Sequence, residues 1–214
     1  MTKEPIVISF LQEKGGAGKT TMATNVACGI KARGLKALLV DSDPQGSARD
    51  WNEENDGTLI PVIGLDRETL ATDIKAVQGY DIIVIDGAPQ LTKMAAAAVK
   101  ASDVVLIPVQ PSPYDVWASE PLVDLIKNRQ QVMNGVPRTA FIISRAIKRS
   151  ILSREVNEGL SEYKLPVFKS YTTQLVAYPS SASKGKTVLE MNGSEAAKEI
   201  NAIVDEIFEE YLAL

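Results

Sequence analysis

The chain has 214 residues, 45% of them hydrophobic and 23% charged, a balance ordinary for a soluble globular protein and long enough to bury a core without disulfides or metals. It holds one cysteine, Cys28, and no histidine, which excludes an internal disulfide, a Cys/His zinc centre and every Ser-His-Asp or Cys-His mechanism. The net charge is −4 but unevenly spread: residues 1–126 sum to −6, 127–186 to +8 and 187–214 to −6, so a basic block interrupts an acidic chain.

Met1–Phe10 is strand-like and carries no cleavage signature, and no apolar run reaches the roughly 18 residues of a membrane span, so the sequence reads as cytoplasmic. Ile6–Leu11 is a short β-branched run ended by Gly15-Gly16. Thr20–Ala32 reads as a helix stopped by Gly34. Ala37–Val40 is a second strand ended by Asp41-Ser42-Asp43-Pro44, and Leu59–Ile63 a weaker third. Glu68–Val77 reads as a helix, Asp81–Ile85 as a buried strand, Lys93–Ala101 as an Ala-rich helix and Val104–Val109 as another strand. Val116–Val132 reads as one long helix, Thr139–Ile143 as a strand, Ile151–Tyr163 as a helix and Leu165–Phe168 as a last short strand. In Ser194–Tyr211, Ala196, Ile200, Ile203, Ile207 and Tyr211 recur at helical spacing. Strands apolar throughout and separated by helices imply a doubly wound, mostly parallel sheet covered on both faces, here one α/β domain over 1–214.

Lys14-Gly15-Gly16-Ala17-Gly18-Lys19-Thr20-Thr21 follows a strand and opens a helix, the setting of a phosphate-binding loop. Glycines let backbone N–H groups approach phosphate oxygens, and the helix N-terminus favours an anion. Lys19 would place its charge on the β- and γ-phosphates, and Thr20 would offer a hydroxyl to Mg²⁺. The general pattern G-x-x-x-x-G-K-[ST] puts its first glycine at Glu13, so the match is imperfect, and the departure comes with an extra lysine, Lys14.

A nucleotidase of this kind needs an acidic residue at the end of a buried strand, directly or through water on Mg²⁺. Asp86 ends the run DIIVID, and Asp41 and Asp43 end the second strand. Any one of them alone is equally a helix cap or a turn residue. Three at the carboxyl ends of neighbouring strands, beside a phosphate loop, point to a site.

On these residues the chain resembles the ParA/MinD family, whose phosphate loop is the deviant Walker A motif. KGGAGKTT at 14–21 is similar to its signature, DSDPQGSA at 41–48 to its D-x-D-P-Q-G segment, DGAP at 86–89 to its Walker B end and IPVQPSP at 107–113 to its adenine-side loop. The length and the PVQPSP segment look most like the small plasmid-partition ATPases of the ParF kind. The resemblance implies ATP hydrolysis with Mg²⁺ in a homodimer closed around two nucleotides, with polymerisation a further possibility in such relatives. It implies that Lys14 reaches the partner's phosphates, that Asp43 orients the attacking water and that Asp41 supports the Mg²⁺ held by Thr20 and Asp86. Pro111, Ser112 and Pro113 would border the adenine, and Arg145 would flank it from the next strand.

The resemblance also implies nucleoid association. The ATP-bound dimer would bind DNA without sequence preference, stimulated by a centromere-binding adaptor of the ParB type, to drive plasmid or chromosome partition. Lys148, Arg149, Lys169, Lys184 and Lys186, all in the basic block, are the candidate phosphate contacts. The same chemistry could position another cargo, a carboxysome, chemotaxis cluster or cellulose-synthesis complex. A MinD-like membrane cycle would need a basic amphipathic terminal helix, but DEIFEEY at 205–211 is acidic, so no membrane binding is expected. An iron–sulfur relative would need two cysteines per subunit, and only Cys28 exists.

Overall fold

The computed structural model describes residues 4–89, 93–147 and 152–212. Six strands, β1 Ile6–Phe10, β2 Ala37–Asp41, β3 Val62–Gly64, β4 Ile82–Asp86, β5 Val104–Val109 and β6 Arg138–Ile143, form one sheet in the order β3-β2-β4-β1-β5-β6. Every pairing is parallel. The central strands are buried on both faces, which explains their unbroken Ile/Val runs.

Alternate residues of each strand feed two cores. Ile8, Phe10, Leu39, Ile82 and Val84 face one core with Met22, Val26 and Ile30 of α1 (Lys19–Ala32) and Ile200, Ile203 and Ile207 of α9 (Glu195–Ile207). Val7, Leu38, Val40, Ile83 and Ile85 face the other, with residues of α3 (Leu70–Ala76), α4 (Lys93–Ala101), α6 (Glu120–Val132) and α7 (Leu152–Ser161). Helices thus cover both faces, as expected of a doubly wound sheet. Helix α1 lies so close to α9 that a Cβ on Gly29 would come 2.8 Å from Val204 Cγ2.

The structure departs from the sequence expectation in four places. The expected 116–132 helix is two, α5 Pro113–Trp117 and α6, because Pro121 has no N–H to give the Trp117 carbonyl one turn back. Leu165–Phe168 makes only an isolated bridge, Val167 to Phe141, not a strand. The third strand starts at Val62, with Ile60 buried before it. Two short helices, α2 Ser47–Glu54 and α8 Ala177–Ala182, had no expectation at all. The final helix begins where expected: the Ser194 hydroxyl accepts from Ala197 N at 3.2 Å, an N-cap.

Candidate functional site

Strand β1 delivers the chain into the glycine loop at the carboxyl edge of the sheet, beside the point where strand order reverses. Gly18 stands at the N-cap of α1 with φ 96°, a left-handed backbone that a side chain would strain. Two bonds from the residues just past β6 and β5 brace the loop: Ser144 Oγ donates to Ala17 O at 2.7 Å, and Gln110 Nε2 to Gly16 O at 2.9 Å.

Lys19 is 7% exposed, and its ammonium donates to Lys14 O at 3.3 Å. Burial pulls its pKa down, while Asp86 and Asp43 pull it back up. Asp86 pairs in register with Phe10 on β1 and with Asp41 on β2, so the strand ends are level. Its carboxyl is fully buried, and neither oxygen has a hydrogen bond of ordinary geometry. Burial chiefly, with Asp41 and Asp43 adding, raises its pKa to about 7, against the Thr20 hydroxyl and Lys19, which favour the charged form. An orphaned buried carboxylate beside a threonine and a lysine is a site short of a cation. Hard oxygen donors suit Mg²⁺, which keeps few protein ligands when phosphates supply the rest. Among the described residues, no group of three or more His, Cys, Asp or Glu side chains could hold a metal ion by itself.

Asp41 is engaged differently. One oxygen accepts from Ala48 N at 3.1 Å and Arg49 N at 3.0 Å, and the other from Asp43 N at 3.0 Å. It caps α2 across the loop, and it fixes Asp43. Burial raises its pKa, offset by those backbone bonds and by Arg49. Asp43 Oδ1 accepts from Gln45 N at 2.9 Å, and the residue stays partly exposed, close enough to Lys19 and Asp86 to act on both electrostatically. Lys14 pairs with the buried carboxylate of Asp115 on α5, a residue that the sequence reading left aside.

A cavity of about 390 Å³ adjoins the far end of the loop, lined by Gly18, Thr21, Arg145, Thr172, Tyr178 and their neighbours. Arg145 thus lines the same cavity as Gly18 of the phosphate loop. Pro111, Ser112 and Pro113 are not part of this cavity. They follow Gln110, which is bonded to the first half of the loop, and they lead into α5 on the Lys14 side.

Three of the five expected DNA contacts lie among the described residues. Lys148 and Arg149 lie outside the described residues. Lys184 and Lys186 are exposed on one turn after α8, with Lys186 3.9 Å from Glu190. That turn rests on α2, where Trp51 Nε1 donates to Lys186 O at 3.1 Å. Lys169 is also exposed, and its backbone N–H is held by Glu206 of α9 at 2.9 Å. No helix among the described residues is long and apolar enough to cross a membrane.

Residues 8–208 match the model of the CobQ/CobB/MinD/ParA nucleotide-binding domain. The chain belongs to this family. It is 31% identical, over 91% of its length and 92% of the relative's, to Maintenance of carboxysome distribution protein A of Halothiobacillus neapolitanus. It is 26% identical, over 85% of its length and 86% of the relative's, to the chromosome-partitioning ATPase Soj of Thermus thermophilus. The fold is that of the septum site-determining protein MinD complexed with Mg-ADP from Pyrococcus horikoshii, at a TM-score of 0.77 and 18% identity, covering 98% of this chain and 97% of that one. The sequence resemblance to ParA/MinD proteins thus stands as membership, and the chain is a ParA-family P-loop protein.

Proposed function

We propose that this ParA-family chain binds ATP with Mg²⁺, dimerises around it and hydrolyses it to position a cargo over DNA. The observation that carries the reading is the buried, unpartnered Asp86 carboxylate at the mouth of the glycine loop. Residues Lys14–Thr21 would cradle the phosphates, with Lys19 as counter-charge, and Arg145 would flank the base in the cavity beside Gly18. Bound Mg²⁺ supplies Lewis-acid stabilisation of charge on phosphoryl oxygens. Thr20 and Asp86 would hold it, and Asp41 would serve by fixing the loop that carries Asp43. Asp43 would accept a hydrogen bond from the attacking water. Lys14 would act on the partner's phosphates, and Pro111–Pro113, on its side of the loop, would face the second subunit.

DNA would be held through phosphates by the exposed lysines of the basic block. The membrane alternative is disfavoured by α9, whose apolar stripe is already buried against α1 and the sheet. Phosphate release tests the enzyme reading: it is expected to need Mg²⁺ and to rise with DNA and an adaptor protein. Absence of turnover under all of these conditions removes it.

The cargo divides into two readings. Partition of a plasmid or chromosome, with a ParB-type adaptor, follows from the D-x-D-P-Q-G and PVQPSP segments. Carboxysome distribution is favoured by the likeness to the Halothiobacillus protein over nine-tenths of both chains. Deleting the gene in its host and scoring plasmid loss against carboxysome spacing separates them.

A further inference from the structure

The wall of the cavity beside Gly18 is an irregular segment, residues 172–176, followed by α8. On one side it is tied to the end of β6: Ala146 N donates to Thr172 O at 2.8 Å, and Gln174 N to Ala146 O at 3.1 Å. On the other it is tied to α9 by the Glu199 carboxylate. Glu199 accepts from Thr173 N at 3.0 Å, from Thr173 Oγ1 at 2.5 Å and from Tyr178 OH at 2.7 Å. Both Thr173 and Tyr178 line the cavity.

A second carboxylate of the same helix repeats the arrangement. Glu206 accepts from Lys169 N at 2.9 Å and Ser170 N at 2.8 Å. Glu199 and Glu206 are two helical turns apart, about 10.5 Å along the axis. Ser170 and Thr173 are separated by three residues, about 10 Å of extended chain. The spacings match, so the segment is laid along α9 in a fixed register.

We infer that Glu199 is a positioning residue for the nucleotide base: from outside the cavity it sets the Thr173–Tyr178 wall against which the base packs. This rests on the proposed reading that the cavity takes the base of ATP. Glu199 touches neither the glycine loop nor the strand-end aspartates, so its effect is confined to the base and ribose. Removing the carboxylate altogether leaves Thr173 N, Thr173 Oγ1 and Tyr178 OH without their acceptor, and the wall loosens.

Calorimetry with Mg²⁺ on the full chain, comparing ATP with inorganic tripolyphosphate, tests this. Glu199→Ala is expected to weaken ATP binding about tenfold and to leave tripolyphosphate binding within about twofold. Glu199→Gln, which keeps one acceptor oxygen and can donate to the Thr173 hydroxyl, is expected to act in the same direction with a smaller loss, and it serves if the first variant does not fold. Equal losses for both ligands, or an unchanged ATP affinity in both variants, overturns the inference. If the unsubstituted protein binds tripolyphosphate as tightly as ATP, the cavity does not hold the base, and the reading beneath falls first.

Discussion

The ammonium of Lys14 is paired with Asp115 of its own chain, a half-exposed lysine against a carboxylate only 1% exposed. The second Asp115 oxygen is buried without a partner. A lysine that is to act on another subunit's phosphates must leave this contact first. A pair with one exposed member is worth about 1 kcal/mol or less. Asp115→Asn is therefore expected to favour the ATP-bound dimer by about fivefold, read by sedimentation with Mg-ATP. Lys14→Ala is expected to lower turnover more than ATP affinity, because its charge serves the facing site. Equal losses in the two quantities would place Lys14 on its own nucleotide instead.

Lys19 is the opposite case. It is buried, bonded to the loop itself, and burial pulls its pKa down against Asp86 and Asp43. A triphosphate adds the negative charge that favours the ammonium. Lys19→Ala is expected to cost about 3 kcal/mol of ATP binding, the upper end for hydrogen bonds to charged groups, or roughly a hundredfold in Kd. Titration calorimetry with Mg-ATP checks it, and an affinity that survives the change contradicts the phosphate assignment.

These sites were legible because the residues that form them are local in sequence. Gly15–Thr21 follows β1 directly, and Asp41 and Asp86 are the last residues of runs whose apolar character marks buried strands. Helix α2 escaped notice because it buries only Ala48 and Trp51 and takes its cap from Asp41, outside its own segment. The cavity wall escaped for the same reason at longer range: Glu199 lies 26 residues from Thr173. The one signal available was the seven-residue spacing of Glu199 and Glu206 within an apolar helix, and periodicity reads that as solvent-facing charge. Asp115 was missed because the expected helix began at Val116, one residue past it, whereas α5 starts at Pro113.

Asp86 makes stability depend on pH in the nucleotide-free protein. Its folded pKa, about 7, lies above the ordinary carboxyl value near 4. Between those values the folded chain holds a proton that the unfolded chain has lost. Its contribution is fully present below pH ~4 and drains away as pH rises through about 7, a change of a few kcal/mol. Asp86→Asn, which cannot ionise, is expected to flatten this part of the melting-temperature profile and to abolish Mg²⁺-dependent phosphate release. A profile identical to that of the unsubstituted chain would mean that Asp86 does not titrate in this range.

The basic turn at Lys184 and Lys186 predicts how DNA binding depends on salt. Both side chains are exposed, and the turn's backbone is held to α2 by Trp51, so neither lysine is needed for the fold. Each phosphate neutralised releases counterions, so log affinity falls linearly with log salt, and each lost contact removes about one unit of slope. Lys184→Ala and Lys186→Ala are each expected to weaken ATP-dependent binding equally on DNA of any sequence and to reduce the slope by about 1. The Lys186 change also frees Glu190 from an ion pair 3.9 Å long, too exposed to disturb stability. Fluorescence anisotropy across a salt series measures both slopes. An unchanged slope in both variants would move the DNA contact to another face, and a loss confined to certain sequences would contradict binding through phosphates alone.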